Sequence, residues 1–452
     1  MLASVNLPVY LQTLIGGECL MQTNPVPDAV PNAVPLKQIV AAVIGNALEW
    51  YDFVVYGFLT VIISRLFFPS DSEYASLLLA MATFGVGFFM RPVGGILIGM
   101  YADRHGRKAA LQLIILLMTV SIAMIAFAPT HAAIGAAAPA MIVIARLLQG
   151  VATGGEFASA TSFLVESAPA GKRGFYGSLQ MVGQSMAALA GAGAGMLITQ
   201  GLTPEQVDNW GWRVPFIFGL LIGPVGLYIR RHLNETEAFI AASEQQLERV
   251  GLRQLWREHQ RSVMASFGLV VAGTIMYYVV LIYMPTYAKT QLHIPLGDAF
   301  VAQVAGLTCL TLVTPVFGVL SDRIGRRPVL MTAMLCYLIL PYPLLSWLLA
   351  EPSLARLAVM QVVLCVAVAM SFGPVSTALA EQFPVHLRST GLALAYNFAV
   401  MLFGGFAQLI VTWLIRETGT PLAPAFYVMF GACAGMSGAW FIADRYRDEV
   451  LH

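Results

Sequence analysis

Charge is scarce in this chain: Asp, Glu, Lys and Arg make up 11% of 452 residues, against 58% hydrophobic types. A water-soluble protein with that balance has too little polar surface to cover itself, so a set of soluble domains is excluded and the bilayer is the solvent that suits it. Charge of one sign is also lacking, with net charge +1, which removes the electrostatic case for a nucleic-acid partner. Cysteine is sparse. Cys19, Cys309, Cys336, Cys365 and Cys433 have neither metal nor redox spacing, and the four that fall in apolar runs read as small buried thiols. No nucleophile, base or metal-ligand constellation occurs, so no catalytic residue, metal or cofactor is expected and an enzyme is disfavoured. The first twenty residues carry no Lys or Arg and lack the basic start of a secretory signal. Together with the Pro-rich stretch that ends at Pro35, they predict a disordered tail over residues 1–35.

What is abundant is long apolar runs. Bounded by charge clusters and turn residues, they give twelve candidate spans near 38–64, 76–102, 109–128, 136–165, 174–200, 212–229, 262–288, 298–320, 328–349, 355–382, 390–415 and 422–443. The one sizeable polar stretch, His232 to Arg261, divides them six and six and has the charge spacing of an amphipathic surface helix. The expected architecture is an all-α membrane protein of twelve transmembrane helices in two pseudo-symmetric halves, 36–231 and 262–445. A cytoplasmic linker helix over 232–261 joins them, and a short tail over 446–452 follows.

The halves are copies of one unit. Gly99 to Lys108 reads GMYADRHGRK and Gly318 to Arg327 reads GVLSDRIGRR. Asp103 and Asp322 stand about 220 residues apart, close to half the chain. Glu166, Pro169 and Arg173 form E-x-x-P-x-x-x-R, and Glu381, Pro384 and Arg388 form it again at nearly the same offset. Two motifs in one order at nearly the same offset mark an internal duplication of the kind transporters carry.

An even number of spans puts both termini on one side. Eighteen of the twenty-five Lys and Arg lie on that side, with both motif loops and the linker; the opposite loops hold Arg65, Arg213, Lys289, Arg356 and Arg416. Basic loops stay inside, so the motif side and the termini are expected to be cytoplasmic. The sequon at Asn234 is then cytoplasmic and is not a glycosylation site.

Two arginines, Arg91 and Arg146, fall within spans. Arg91 is roughly 18 Å along a helix from Asp103, near the midplane of a core about 30 Å thick, and a charge there needs a partner or a wet cavity. In the first span Gly45, Glu49, Asp52 and Tyr56 share one helix stripe, with Asn46 beside it. Two carboxyls one turn apart in low dielectric do not both ionise comfortably, which suits proton coupling. A permanent salt bridge of Glu49 or Asp52 with Arg91 or Arg146 is the structural alternative. Arg91 is read as the anchor of a carboxylate solute, because a guanidinium grips a carboxylate through two parallel hydrogen bonds. Arg146 is expected to pair with the acids of the first span. Glu156, beside Gly154 and Gly155, either relays protons or accepts hydrogen bonds from a helix end.

In the fifth span Gln180 and Gln184 are spaced for a polar ligand or for interhelical bonding. The second half has no deep charge, only polar candidates such as Tyr278 and Asn397. The loop motifs suggest a mechanical latch. In it Gly99 and Gly318 allow tight contact with the opposite half, and Asp103 and Asp322 face helix N-termini. The arginines Arg104, Arg107, Arg323 and Arg326, set around Gly106 and Gly325, pair with Glu166 or Glu381, and Arg173 and Arg388 complete the second motif.

G-x-x-x-D-R-x-G-R-[RK] in the loop after the second span resembles the signature of the major facilitator superfamily, over nearly all of 36–445. GNALEWYDF, FFMRPVGG, RLLQG, TGGEF, KRGFYGS and WGWRVPF further resemble the bacterial metabolite:proton symporters. That resemblance implies an inner-membrane, alternating-access carrier, a monomer, that takes citrate, 2-oxoglutarate, shikimate, proline or betaine with protons. It also implies a role for Arg91 in carboxylate binding and for the first-span acids in coupling. KRGFYGSLQ is similar to the citrate and 2-oxoglutarate carriers, IYMPTY and QFPVHLR to the osmoprotectant carrier. The expected function is import of a small organic acid, citrate-like, by proton symport; a zwitterionic solute is the alternative, and a uniporter or drug exporter comes behind it.

Overall fold

A computed structural model describes residues 36–105, 107–154, 156–169, 171–221, 224 and 252–445. The expected tails, most of the linker and Asn234 lie outside the described residues. So do Gly106 and the side chains at Gly99, Asp103, Arg107 and Glu156.

The first half comprises α1 (Leu36–Phe58), α2 (Thr60–Phe67), α3 (Glu73–His105), α4 (Arg107–Ala126), α5 (Ala137–Ala152), α6 (Glu156–Glu166), α7 (Arg173–Gly201) and α8 (Arg213–Gly219). In the second are α9 (Leu252–Met276), α10 (Met284–Gln291), α11 (Leu296–Ile324), α12 (Arg326–Ile339), α13 (Pro341–Ala350), α14 (Leu354–Ala380), α15 (Val385–Phe403), α16 (Ala407–Thr418) and α17 (Ala423–Phe441). Helices dominate because a backbone in hydrocarbon must satisfy its own N–H and C=O groups. Eight stretches among the described residues are long and apolar enough to cross a membrane. Of the remaining spans, the third is α4, the fourth α5 with α6 and the twelfth α17, and α8 is the described helix of the sixth; together they make the twelve-span, two-half fold.

Several spans expected to be continuous are broken, each at a residue that loosens the ladder. The first breaks at Leu59, where the Thr60 hydroxyl donates back to the carbonyls of Tyr56 and Gly57. The fourth breaks at Thr153 and Gly154, and the eleventh at Gly404 to Phe406. The seventh passes through a π-helical segment, Tyr277–Ile282, before Pro285 starts α10 correctly at its first turn. Leu252 to Arg261, the described part of the expected linker, runs straight into α9 with a kink at His259.

The packing repeats with the sequence. In the first half α1 lies on α7 and α8, and α3 and α4 on α5; in the second α9 lies on α15 and α17, and α11 and α12 on α14. Between halves α7 runs along α11 while α3 runs along α15, which are equivalent pairs under exchange of the halves. Backbones come close wherever small residues meet. A Cβ on Gly150 would stand 2.0 Å from the Gly87 carbonyl oxygen, so α5 seats against α3 only because glycine is there. Gly318 of α11 meets Gly174 and Ser178 of α7 in the same manner, across the halves.

A Cβ on Gly318 would lie 2.7 Å from the Gly174 carbonyl oxygen, a backbone atom, and 2.8 Å from Ser178 Cβ. Gly318→Val is expected to cost about 1–3 kcal/mol by overpacking and to lower the melting temperature of the purified protein. It should also open the motif side, read as faster maleimide labelling of Ser321→Cys, a position fully buried here. Unchanged melting and labelling would show that the halves do not meet at this point.

Candidate functional site

Two small cavities sit side by side, the larger between the halves and the smaller within the first half. The larger, ≈ 40 Å³, is walled by Trp50, Phe157 and Gln184 from the first half and by Tyr277, Tyr278, Phe372 and Tyr396 from the second. The smaller, ≈ 10 Å³, is lined by Glu49, Trp50, Phe53, Arg91, Thr153 and Phe157. Trp50 and Phe157 belong to both, so the two are neighbouring compartments of one site. Room for a few waters is all they offer in this closed arrangement.

Arg91 and Glu49, predicted from opposite roles, thus face one compartment. The Arg91 guanidinium carbon lies 5.0, 4.7 and 4.4 Å from the ring centroids of Trp50, Phe53 and Phe88. Desolvated cation–π contacts of this kind partly replace lost water. Its Nε has no hydrogen-bond partner among the described residues, nor has Glu49 Oε1. Arg91 lies beside Tyr396 and Tyr278, hydroxyls of the opposite half.

Arg146 is fully buried and does not form the expected ion pair with the first-span acids. Its Nη1 donates to Gln149 Oε1 at 2.6 Å, and its guanidinium packs over Phe53, Tyr56 and Phe84. Asp52 remains close enough to act on it electrostatically. The Asp52 carboxylate turns instead toward α8, where a Cβ on Gly219 would be 2.2 Å from Oδ1, and neither of its oxygens is hydrogen-bonded among the described residues. The structural salt bridge weighed for Glu49 and Asp52 is therefore absent among the described residues.

Other predicted ligands are already engaged. Asn46 and Gln180 bond each other, Asn46 Nδ2 to the Gln180 carbonyl at 3.0 Å and Gln180 Nε2 to Asn46 Oδ1 at 3.1 Å. This is the interhelical reading of that pair. Tyr56 donates to the Ala80 carbonyl and stacks on Phe84, away from both cavities. Asn397 donates to the Gly154 carbonyl at 2.6 Å, tying α15 to the break in the fourth span. Of the predicted solute ligands, Arg91, Gln184 and Tyr278 line these two cavities.

On the motif side Asp322 accepts from the backbone N–H of Gly174 at 2.7 Å and of Phe175 at 3.0 Å, capping the N-terminus of α7 from the opposite half. Arg326 bridges Asp322 (2.8 Å) and Glu381 (3.2 Å). Arg388 pairs with Glu166 at 2.6 Å across the halves, and the Thr377 hydroxyl donates to the Arg173 carbonyl at 2.8 Å. Arg173 also lies near enough to Glu381 to act on it. Each copy of E-x-x-P-x-x-x-R thus faces the other copy. Gly325 closes α11 with φ 102°, which a side chain would resist. Arg104 and Arg323 are exposed.

The family model described as "Sugar (and other) transporter" matches residues 37–250 and again 230–444. The chain belongs to the sugar (and other) transporter family, within the major facilitator superfamily. It is a multi-pass membrane transporter, not an enzyme. It is 37% identical over 404 residues to a citrate-proton symporter of Salmonella typhi, covering 89% of this chain and 92% of that one. To a proline/betaine transporter of Salmonella typhimurium it is 34% identical over 411 residues, covering 88% and 82%. A D-xylose-proton symporter crystal structure superposes with TM-score 0.71 at 20% identity, over 90% of this chain and 96% of that one, a likeness of fold.

Within this transporter fold, sequence reasoning missed the aromatic wall: Trp50, Phe157, Phe372 and Tyr396. Phe157 and Tyr396 stack across the halves at 3.7 Å. For two of the four the signal was present in GNALEWYDF and LALAYNF, where Trp50 adjoins the predicted coupling acid Glu49 and Tyr396 the predicted ligand Asn397.

Burial pushes the Glu166 carboxyl above its ordinary value of 4.5, and the Arg388 guanidinium opposes that rise. A raised folded-state value means stability present below the unfolded value and lost as pH climbs through the folded one. The melting temperature of wild type relative to Glu166→Gln is therefore expected to increase as pH is lowered from 7 toward 4.5. A difference that shrinks on acidification would mean that Arg388 outweighs burial.

Proposed function

We infer that this transporter imports a small carboxylate-bearing solute together with protons, by alternating access. The observation that carries the reading is Arg91 and Glu49 facing one compartment beside the larger cavity. Two guanidiniums, Arg91 and Arg146, share the Phe53 ring with two carboxyls nearby. Such a cluster is near neutrality when Glu49 and Asp52 are both ionised. A proton on either acid leaves surplus positive charge in low dielectric, which a solute carboxylate neutralises, so proton and solute favour each other's binding. Glu156 belongs to the same set by its sequence position.

Organic-acid symport is the first reading, supported by the citrate-proton symporter relative and by the guanidinium anchor. A zwitterionic solute is the second. The faces of Trp50, Tyr277, Tyr278 and Phe372 suit an alkylammonium group, and relatives named proline/betaine transporter support it. The carrier works as a monomer of two halves, 36–231 and 262–445, joined by 232–261, in the bacterial inner membrane with the motif side and both termini cytoplasmic. The contacts of Gly318, Asp322, Glu166 and Arg388 are the latch of that side, broken when the halves rock.

Arg91→Ala is expected to lose nearly all binding in calorimetry, and Arg91→Lys to lose most of it for an organic acid, because an ammonium offers a point charge where the guanidinium offers a fork. A zwitterion carrier tolerates the lysine better. Wild-type affinity in Arg91→Ala sinks the assignment.

Glu49→Gln and Asp52→Asn are each expected to abolish accumulation driven by a pH gradient in proteoliposomes while sparing counterflow, which need not complete a deprotonation. Full accumulation in both variants removes the coupling role from this pair. Uptake by wild type that ignores an imposed pH gradient removes proton coupling altogether.

A further inference from the structure

Among the buried amide side chains of the described residues, Gln408 has both its nitrogen and its oxygen sealed and without a hydrogen-bond partner. It is fully buried at the start of α16, directly after the break at Gly404 to Phe406. A Cβ on Gly57 would lie 3.2 Å from Gln408 Nε2, 2.5 Å from Ile282 Cγ2 and 3.4 Å from the Phe84 ring. Gly57 and Phe84 belong to the first half, Ile282 and Gln408 to the second, so the amide is closed into the seam between halves. Along its span Arg388 marks the motif end and Arg416 the far end, and Gln408 is nearer the far end. The seam around it is otherwise apolar or satisfied: the Phe406 ring covers Gly85, and the Thr412 hydroxyl donates to that of Tyr283 at 3.0 Å.

An amide sealed in hydrocarbon with none of its hydrogen bonds made is disfavoured, and a leucine of similar volume would close this seam better. The amide's chemistry is therefore met when the far side opens and α1 and α3 part from α16. Its N–H groups then face the vestibule leading down to Arg91. We propose that Gln408 is a solute-contact residue of that vestibule, its amide N–H groups taking the carboxylate of the incoming solute before Arg91 does. The proposal rests on the carboxylate-carrier reading above.

The test is transport kinetics of Gln408→Leu in vesicles of both orientations, using a carboxylate solute that wild type carries. The KM for solute offered on the far side is expected to rise about tenfold, the effect of one lost hydrogen bond to a charged group. The KM from the motif side should stay unchanged, and the melting temperature without solute should hold or rise. Gln408→Glu keeps a polar group but repels a carboxylate, so it should raise the far-side KM further, more at high pH than at low. A lower melting temperature with KM raised equally on both sides would make the residue a packing element. A far-side rise matched by a motif-side fall would make it a weight on the balance between orientations. Either result, or an unchanged far-side KM, overturns the proposal. Failure of wild type to carry any carboxylate solute would instead strike the reading on which it rests.

Discussion

The carboxylate of Asp322, set against the first N–H groups of α7, is the contact on which the closed arrangement turns. A helix N-terminus offers unsatisfied donors and partial positive charge, and here the anion that meets them comes from the other half of the chain. For the approach to happen, Gly174 and Gly318 must both lack side chains. Once α7 is held there it lies along α11 and α14, and Gln184, farther along the same helix, is brought to the cavity wall. Closure of one face and assembly of the central site are thus consequences of one packed seam.

The centre meets a different constraint, that of keeping guanidinium groups where there is little water. Arg91 and Arg146 are held by aromatic faces rather than by ion pairs with described residues. A permanent carboxylate partner would fix them. Ring faces leave hydrogen-bonding capacity open, as the unpartnered Nε of each arginine records. The carboxylate binding proposed above would draw on that open capacity.

The duplication, the twelve spans and the contacts of Gly318, Asp322 and Arg326 were legible because each has a sequence signature that physics makes necessary: hydrophobic length, repeated motif, glycine where backbones touch; the pairing of Glu166 with Arg388 was not among those expected. The central site was legible in part. Depth within a span identified Arg91, Glu49, Asp52 and Arg146, since a charge at the midplane is costly wherever it points. Direction was not legible. A helical stripe puts Glu49 and Asp52 on one face, yet Glu49 reaches the cavity while Asp52 meets α8, because two neighbouring helices divide that face. Tyr56 and Asn46 are polar and deep, as a ligand residue would be, yet the backbone of α3 partners the one and the carbonyl and side chain of Gln180 the other. The breaks at Leu59 and in the seventh span went unseen, since a π turn or a kink preserves hydrophobic length and so leaves the apolar run unchanged.

The crossing of the duplicated acids and arginines has a further consequence. Glu166 of the first copy is answered by Arg388 of the second, and Glu381 of the second lies within reach of Arg173 of the first. The two halves descend from one unit, but they are no longer separable modules. A reversal of charge at Glu166 finds its compensation only at Arg388, more than two hundred residues further along the chain. Exchange of one half for that of a distant relative would bring incompatible surfaces together even if each half folded well, so the heritable unit of this transporter is the matched pair.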